Sequence, residues 1–416
     1  MLVALPTLPD RPLLVALVAL LWLALVLYGA SAGWWLVETL VLSWGWRADR
    51  AERWGLDEVQ VRILTVDAEA VVQGTVDALP EAVTDVHVIA ERDVDVDGAV
   101  VDVVPDSFDC TATNKGRALE WARRNVDCDR EYVLYLDEDT LVTELTGLPD
   151  ADVVQFTEKP IYTGSRLTYL CEVFRIGYQF EQFGFHRLRY PLYAWGGGVA
   201  IRHGLEQSIT WDARTITEDT NFVWRAADER SISYRLVDAR FRNQAPPSVW
   251  AMLKQRRRWI SGTMRDDAAL PLRYRPLAFT RVVAWALSPL VPLLVVGAYA
   301  FPGSAATLDS YVALSTALLG ILVLYTLAGL VAYRKHPLLW PVFLLATPVG
   351  VVLHALGAMW GLVRPVDTFE VTEKVAPATI ERVNAGLEEG AIADHDGSER
   401  LIRGSPEAFE WTVFDD

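Results

Sequence analysis

The sequence predicts an α/β fold, in which a mostly parallel sheet with flanking helices is attached to transmembrane helices at both its N- and C-terminal sides. Two observations support this prediction. Residues 11–45 and 276–363 are nearly free of charge, whereas residues 46–275 carry most of the charged side chains. Within the charged part, short runs rich in Val, Ile and Leu alternate with helical patterns. This alternation is typical of parallel strands joined by helical crossovers.

The composition of the 416-residue chain limits its partners and its environment. The formal net charge is −16, yet only five of the 38 basic residues are lysines. Abundant Asp and Glu with scarce Lys predict a salt-loving organism, and they disfavour a nucleic-acid partner, whose phosphates require a basic surface. The three cysteines show no Cys-x-x-Cys spacing, so neither a disulfide framework nor a zinc site is expected. A domain facing the cytoplasm fits these features.

The first 46 residues are predicted to anchor the chain in a cell membrane. Residues 11–29 form an apolar run long enough to span a bilayer. Residues 34–46 are rich in tryptophan and contain Glu38, which predicts a second, interfacial helix or a poor second span. Three arginines follow within the next seven residues. By the positive-inside rule they place this end, and the domain after it, on the cytoplasmic side.

Residues 47–275 are predicted to form one cytoplasmic domain. Ligands of an open parallel sheet bind at the carboxyl ends of its strands, so polar residues at strand ends are the first candidates for a site. The last predicted helix is basic, carries tryptophan and is expected to lie at the membrane interface. The predicted strands cover residues 59–65, 85–90, 100–104 and 132–136. The predicted helices cover residues 115–125, 167–185 and 248–264.

Residues 276–363 are predicted to form C-terminal transmembrane helices, and residues 364–416 an acidic tail. The apolar segments cover residues 277–300, 308–333 and 338–363. Two basic residues between the second and the third segment place that loop inside. The third segment contains two prolines and a histidine. It is therefore predicted either to cross the membrane or, as we favour, to be re-entrant or interfacial.

Two groups of carboxylates are candidates for chemistry. Asp137 and Asp139 directly follow the predicted strand at 132–136, which delivers them to the ligand-binding edge of the sheet. Hard cations prefer oxygen ligands, so this pair predicts Mg²⁺ or Mn²⁺ bound together with a diphosphate. Thr217 is predicted to cap a helix that begins with Glu218 and Asp219. A carboxylate held at a helix start is rigid, as a general base must be.

A third motif runs from Gln255 to Trp259 on the predicted interfacial helix. A basic helix beside a membrane often binds only lipid headgroups. The alternative is that Arg258 makes bidentate contacts with a diphosphate while the indole of Trp259 stacks on a sugar or base. The presence of both carboxylate groups upstream favours this second interpretation.

Together these motifs resemble those of membrane-bound family 2 glycosyltransferases, whose pattern is D-x-D, then T/E-E-D, then Q-x-x-R-W. The resemblance implies a GT-A-type nucleotide-sugar-binding sheet. Within the family, residues 61–65, 136–143 and 187–193 look most similar to Egghead-type β-1,4-mannosyltransferases, which use GDP-mannose. Asp139 stands where the Egghead pattern has Glu, so a UDP-sugar donor remains an alternative. Residues 369–374 resemble the F-x-V-T-x-K segment of cellulose synthase-like members, which lies on the cytoplasmic side.

The resemblance also implies roles for individual residues. The expected reaction is inverting transfer, with Asp219 as the base supported by Glu218, and with a divalent cation as cofactor. The implied metal ligands are Asp137 and Asp139. The implied donor-binding residues are Thr65, Glu91, Asp93, Lys115, Asp137 and Arg258. The implied acceptor-binding residues are Trp195, Gly196, Gly197, Gly198, Gln255 and Trp259.

Three functions remain open from the sequence. The first is transfer of one sugar from a nucleotide-sugar to a lipid-linked or glycolipid acceptor in the membrane. The second is processive synthesis of a polysaccharide from a UDP-sugar, as in cellulose or hyaluronan synthases, although few membrane spans count against it. The third is a non-catalytic membrane scaffold or transporter. The complete set of carboxylates disfavours this third function.

Overall fold

The computed structural model describes residues 12–46, 53–290, 309–333, 335, 337–368 and 372–382. Several predictions from the sequence therefore lie outside the described residues. They concern Arg47 and Arg50, the second half of the first C-terminal apolar segment with its following loop, Arg334, residues 369–371, and the acidic tail beyond residue 382.

The described strands form one seven-stranded sheet in the order β3-β2-β1-β4-β6-β5-β7. Six strands run in one direction, and β6 runs antiparallel between β4 and β5. The predicted α/β class with a mostly parallel sheet is thus confirmed. The strands are β1 (Val59–Thr65), β2 (Asp85–Ala90), β3 (Val100–Val103), β4 (Tyr132–Asp137), β5 (Val153–Glu158), β6 (Gly198–Arg202) and β7 (Tyr234–Phe241).

The central strands are buried on both faces, which explains their continuous apolar sequences. All seven residues of β1 are buried. The polar Arg62 in its middle is satisfied by hydrogen bonds to the hydroxyl of Tyr135 at 2.9 Å and to Gln60 at 2.7 Å. In the parallel register of β1 and β4, Leu64 pairs with Asp137. This register brings the ends of both strands to one edge of the sheet, where the site lies.

Helices cover the sheet and continue into an apolar helical layer. The predicted long helix at 167–185 is α-helical only to Tyr178 and tightens into a 3-10 helix over Gln179–Arg187. The α-helices are α1 (Pro12–Leu36), α2 (Glu69–Asp77), α3 (Lys115–Asn125), α4 (Arg166–Tyr178), α5 (His203–Ile209), α6 (Glu218–Glu229), α7 (Val249–Asp266), α8 (Arg275–Leu287), α9 (Asp309–Ala332) and α10 (Trp340–Val363).

The prediction of a second N-terminal helix over residues 34–46 is wrong. Helix α1 continues directly into a π-helical segment, Val37–Leu42, because no glycine or proline interrupts the sequence there. Glu38 is fully buried and accepts a hydrogen bond from Trp34 Nε1 at 2.7 Å, while Arg281 Nη1 lies 3.5 Å from its carboxylate. Glu38 therefore belongs to a buried pair with Arg281, and its presence in the sequence does not indicate a helix at the membrane surface.

Three helical stretches are long and apolar enough to cross a membrane, namely Leu21–Leu42, Asp309–Ala332 and Pro337–Val363. The predicted interruption of the third by its prolines is wrong, since α10 is continuous. Pro341 lies in the first turn, where a missing N–H costs no hydrogen bond. Both ends of α10 contact helices that precede α8: Trp340 packs in the cluster of Tyr169 on α4, and Trp360 stacks on Trp250 of α7 at 5.3 Å.

Candidate active site

The ends of β4, α3 and α6 bring three charged groups together. Asp137 ends β4, and its Oδ1 accepts a hydrogen bond from Lys115 Nζ at 2.8 Å. Lys115 Nζ also lies 3.6 Å from Asp219 Oδ2. Burial opposes ionisation of Asp137, but the ammonium groups of Lys115 and Lys374 outweigh it and lower the pKa of this carboxyl. One lysine thus connects the predicted metal motif with the predicted base.

Glu218 and Asp219 form the first turn of α6, as the sequence predicts. The predicted side-chain cap is wrong, however, since the hydroxyl of Thr217 donates to Asp266 Oδ2 at 2.7 Å and caps nothing. The cause is the packing of α7, which places Asp266 within reach of this hydroxyl. Thr215 donates to the same carboxylate oxygen. Asp266 of α7, and not a capping side chain of α6 itself, therefore fixes the position of the residues at the start of α6.

Both carboxyls at the start of α6 are poised to take up a proton. Burial raises the pKa of Glu218 to about 7, against the opposing influence of Lys115. Burial likewise raises the pKa of Asp219, and the charge of Asp137 adds to this. Glu218 Oε1 and Asp219 Oδ1 are buried and have no hydrogen-bond partner among the described residues. These two oxygens are available to a ligand.

We expect Glu218→Gln to raise the thermal midpoint of the purified protein by a few degrees at pH 8. Glu218 has an unperturbed pKa of 4.5 and a folded-state pKa of about 7. The folded state therefore binds more protons than the unfolded state between these values, and this group lowers stability as pH rises through that window. Thermal unfolding in detergent at several pH values measures the effect. A midpoint difference that stays constant from pH 4.5 to 8 would contradict the assignment.

The glycines after Trp195 allow the backbone to approach Asp219, the predicted base. A Cβ at Gly196 would lie 2.2 Å from Asp219 Oδ2 and 2.9 Å from Lys115 Nζ. A Cβ at Gly197 would lie 2.2 Å from the indole of Trp195, and one at Gly198 would lie 2.7 Å from the ring of Phe241. A side chain at any of these positions would displace its neighbours, so the loop requires glycine by close approach.

We expect Gly196→Ala to reduce turnover by about 10²-fold, because the new methyl group displaces Asp219 from its position and misplacement of about 1 Å costs that much. Nucleotide release measures the effect. Gly204→Ala is the matched control, since a Cβ at Gly204 would meet no atom within 4 Å. Equal turnover of the two variants would show that the loop does not position the base.

Helix α7 presents Gln255, Arg258 and Trp259 to the same space. Of the two guanidinium groups over the indole of Trp259, that of Arg256 lies nearer, with its Cζ 4.1 Å from the ring centroid, and that of Arg175 lies at 5.9 Å. Arg256 is fully buried and forms an ion pair with Glu172 on α4. Arg256 thus orients the tryptophan from behind. The sequence pattern alone does not distinguish Arg256 from the neighbouring arginines.

Asp139 is held by the chain's C-terminal segment. Its Oδ1 accepts a hydrogen bond from Lys374 Nζ at 2.5 Å, and its Oδ2 accepts one from the Gln244 backbone N–H at 2.9 Å. The side chain of Gln244 forms two hydrogen bonds, at 2.7 and 2.8 Å, with the backbone of Val375. Residues 372–376 therefore lie against the strand end that carries the Asp-x-Asp pair.

The donor set fits a divalent cation that is bound together with a ligand. Among the described residues, no group of three His, Cys, Asp or Glu side chains could hold a metal ion. Mg²⁺ typically uses one or two carboxylates and completes its coordination with phosphate oxygens and water. Asp137 faces the cavity, and Asp139 is a second carboxylate, whose Oδ1 is paired with Lys374. Two carboxylates thus leave coordination positions that diphosphate oxygens and water would complete.

One cavity of about 810 Å³ collects most of the predicted site residues. Asp93 is exposed and lies outside it, and Asp139, Gly197 and Gly198 are buried behind its wall. The cavity continues from the sheet edge to residues of α1, α4, α8, α9 and α10. The predicted residues on its wall are Thr65, Glu91, Lys115, Asp137, Trp195, Gly196, Glu218, Asp219, Gln255, Arg258 and Trp259.

Comparison with known proteins identifies the family. The sequence profile of glycosyl transferase family group 2 matches residues 132–360, which is more than half of the chain. The chain belongs to this family. The match begins at β4 and includes all three motifs, from the Asp-x-Asp pair to the Q-x-x-R-W sequence on α7. The prediction of a family 2 glycosyltransferase is confirmed.

Curated relatives of this family 2 chain are mannosyltransferases. It is 25% identical over 304 residues to beta-1,4-mannosyltransferase egh of Drosophila melanogaster, covering 65% of this chain and 66% of the relative. It is 24% identical over 216 residues to beta-1,4-mannosyltransferase bre-3 of Caenorhabditis elegans, covering 45% of this chain and 46% of the relative. The chain thus matches between about half and two thirds of these relatives' lengths.

Among solved structures, the chain is similar to the mannosyltransferase PcManGT from Pyrobaculum calidifontis, which was solved with GDP-Man and Mn²⁺. The sequence identity is 14% and the TM-score 0.43, and the match covers 76% of this chain and 96% of that protein.

Sequence reasoning missed several residues that support the site. Glu138 is buried and accepts a hydrogen bond from the hydroxyl of Thr65 at 2.7 Å. Gln155 holds the backbone of Trp195 through two hydrogen bonds at 2.6 and 3.0 Å. Charged residues within the aromatic-rich α4 were a signal for the buried pair of Glu172 and Arg175, because a charge in such a helix must find a partner.

Proposed function

We propose that this chain transfers mannose from GDP-mannose to a membrane-associated lipid or glycolipid acceptor, with inversion at the anomeric carbon and with a divalent cation. The observation that carries this proposal is the cavity of about 810 Å³, which joins the carboxylates at the sheet edge to the helices of the apolar layer. A donor at the sheet and an acceptor embedded in the membrane would meet in it. The mannosyltransferase relatives support the choice of donor.

The residues of the cavity divide into a donor side and a reaction centre. Thr65, Glu91 and Lys115 lie at the ends of β1, β2 and the start of α3, where a nucleotide diphosphate would bind. Arg258 would contact the leaving diphosphate and stabilise its growing charge. Asp219 accepts the proton of the acceptor hydroxyl at its unpartnered Oδ1, while Glu218 supports it. Gly196 allows the sugar to approach closely.

Asp137 and Asp139 would hold the divalent cation, which neutralises charge on the donor diphosphate when it is bound. Lys115 keeps Asp137 ionised for this role, as the direction of its pKa shift indicates. Asp139 is buried and already faces a cation, Lys374. Each of the two carboxylates therefore has a lysine ammonium group beside it that stabilises its negative charge.

We propose that the domain of residues 47–275 lies on the cytoplasmic side of a cell membrane that the chain crosses more than once. Lys374 contacts Asp139, so the segment after α10 lies on the same side as the sheet. This placement requires that α10 lies along the domain and does not cross the membrane. Both ends of α10 pack against the domain, which supports this arrangement. Helices α1 and α9 then span, and the sequence predicts a third crossing within residues 277–300, part of which lies outside the described residues.

The test is a donor screen on detergent-purified protein at high salt, with Mg²⁺ or Mn²⁺ and with extracted lipids present. Release of GDP from GDP-mannose, with one sugar added per acceptor, is the expected result. UDP release with a growing polymer would overturn the proposal in favour of a processive synthase, and the contact of Lys374 with Asp139 would fit that alternative. Absence of turnover with every donor would also contradict it.

A further inference from the structure

Helix α7 contacts the segment that leads to the predicted base at two points beyond the Q-x-x-R-W motif. Asp266, the last residue of α7, accepts hydrogen bonds on its Oδ2 from the hydroxyls of Thr215 and Thr217, the second at 2.7 Å. One turn earlier on α7, a Cβ at Gly262 would lie 2.5 Å from Cγ2 of Thr217. The residues directly before Glu218 therefore pack on α7 by both a polar and a close backbone contact.

These contacts extend the face of α7 that carries the Q-x-x-R-W motif. Successive steps of three or four residues stay on one face of an α-helix. The steps from Gln255 to Arg258, then to Gly262, then to Asp266 are three, four and four residues. Gln255 and Arg258 line the cavity, whereas Asp266 lies outside its wall. One face of α7 therefore reaches the cavity with its first turns and the start of α6 with its last turn.

Helix α7 is held in place independently of α6. It packs so closely on α10 that a Cβ at Gly357 would lie 2.4 Å from the carbonyl oxygen of Leu253. The buried ion pair of Arg256 with Glu172 connects it to α4. The carboxylate at the end of α7 therefore has a position that α6 does not determine.

A carboxylate at this position is unfavourable for stability alone. Asp266 is only 4% exposed, and burial of a charged group is costly. It also lies at the C-terminal end of a helix, where the helix dipole disfavours negative charge. The two hydroxyls that bind it are neutral. One carboxylate oxygen can, however, accept two hydrogen bonds at once, which joins Thr215 and Thr217 at a single point.

The reactive side chains of α6 depend on the backbone for their positions. Glu218 Oε1 and Asp219 Oδ1 are buried and have no hydrogen-bond partner within the described part of the chain. No side chain caps this end of α6. The direction of both carboxyls is therefore set by the segment at 215–217, which Asp266 holds.

We propose that Asp266 is a positioning residue for sugar transfer, which holds Thr215 and Thr217 on α7 and thereby directs Asp219 toward the acceptor hydroxyl. This inference rests on the proposed function and adds to it a residue that does not touch the substrate. The motif on α7 is then Q-x-x-R-W-x-x-G-x-x-x-D. A single helix carries both the arginine for the leaving diphosphate and the support of the base.

The first test compares Asp266→Ala with Asp266→Asn in lipid nanodiscs, with the nucleotide-sugar from which the wild type releases nucleotide. Asp266→Ala is expected to lower kcat about 10²-fold, the cost of misplacing a reacting group by about 1 Å, and to leave the donor KM unchanged. Asp266→Asn is expected to restore most of kcat, because both hydroxyls bind the same oxygen. The control is Asp267→Ala, which removes a carboxyl that is not buried and is expected to match the wild type.

The second test needs no turnover and separates positioning from a purely structural contribution. Burial raises the pKa of Glu218 to about 7, among the charges of Lys115, Asp219 and Arg258. A raised pKa stabilises the folded state below it, and this stability is lost as pH rises from 4.5 to 7. In Asp266→Ala the start of α6 is expected to open to solvent and lose this shift. Both variants lack the carboxyl of Asp266, so the midpoint deficit of Ala relative to Asn is expected to shrink by a few degrees from pH 5 to pH 8.

The outcomes distinguish this inference from the proposed function. A kcat of Asp266→Asn as low as that of Asp266→Ala, or a loss confined to KM, would overturn the positioning role. A midpoint deficit that is the same at every pH would also overturn it, since it would indicate a contribution to stability alone. Absence of turnover with every donor would contradict the proposed function, and the pH dependence of the midpoints would then decide whether Asp266 positions the carboxyls of α6.

Discussion

Asp219→Asn is expected to abolish sugar transfer while GDP-mannose still binds. Asn keeps the size of the side chain but cannot accept the proton of the acceptor hydroxyl. Loss of a positioned base typically costs about 10²–10⁴ in rate. Donor binding is expected to persist because Lys115 keeps its hydrogen bond to Asp137 at 2.8 Å. The measurement is turnover by GDP release, with donor affinity determined separately by calorimetry.

A second carboxylate on the same helix provides the control for this prediction. Glu229 is exposed at the other end of α6, so Glu229→Gln is expected to leave both turnover and donor affinity unchanged. The wild-type rate is expected to fall as pH decreases through the raised pKa of Asp219, because only the ionised base accepts a proton. Near-normal turnover of Asp219→Asn would show that another group is the base.

The fold was largely predictable because its signals are local. The strand at 132–136 is an apolar run that ends at a carboxylate, and the structure gives β4 as Tyr132–Asp137. The antiparallel insertion of β6 was not predictable, since Gly198–Arg202 is short and its partners come from distant parts of the chain. The continuation of α1 to Leu42 was also missed. In that segment, residues distant in sequence bury the side chain of Glu38, which the local sequence pattern predicts at the surface.

The candidate site was predictable at the level of motifs but not of contacts. The sequence predicted Asp137 at the end of a strand and Asp219 at the start of a helix, where polar groups often lie. It could not show that Lys115 lies between them, because that contact depends on the packing of α3 against the sheet. The same holds for Arg256, whose role depends on a partner 84 positions away. Long-range pairing leaves no local pattern.

Asp139→Asn is expected to remove the metal-dependent part of donor affinity. The variant keeps the shape of the side chain, and its one oxygen can still accept a hydrogen bond from either Lys374 or the Gln244 N–H, which bind different oxygens of Asp139. It lacks the negative charge that a divalent cation requires. Loss of groups that support a metal site typically costs 10–100-fold in metal affinity. Loss of a metal ligand itself is therefore expected to reduce metal affinity by at least about that factor. Titration of GDP-mannose binding with and without Mn²⁺ measures it. A Mn²⁺ dependence equal to that of the wild type would remove Asp139 from the metal site.

Lys374→Met is expected to change metal binding in the opposite direction. Lys374 Nζ lies 2.5 Å from Asp139 Oδ1, so its charge competes with any cation for the same oxygen. Without this ammonium group, binding of Mn²⁺ in the absence of nucleotide is expected to strengthen, as free Mn²⁺ measured by electron paramagnetic resonance would show. Lys254→Met, on the exposed face of α7, is expected to leave it unchanged. Opposite effects at Asp139 and Lys374 would mean that the C-terminal segment and the metal share one carboxylate, whereas a weaker Mn²⁺ affinity of Lys374→Met would contradict this competition.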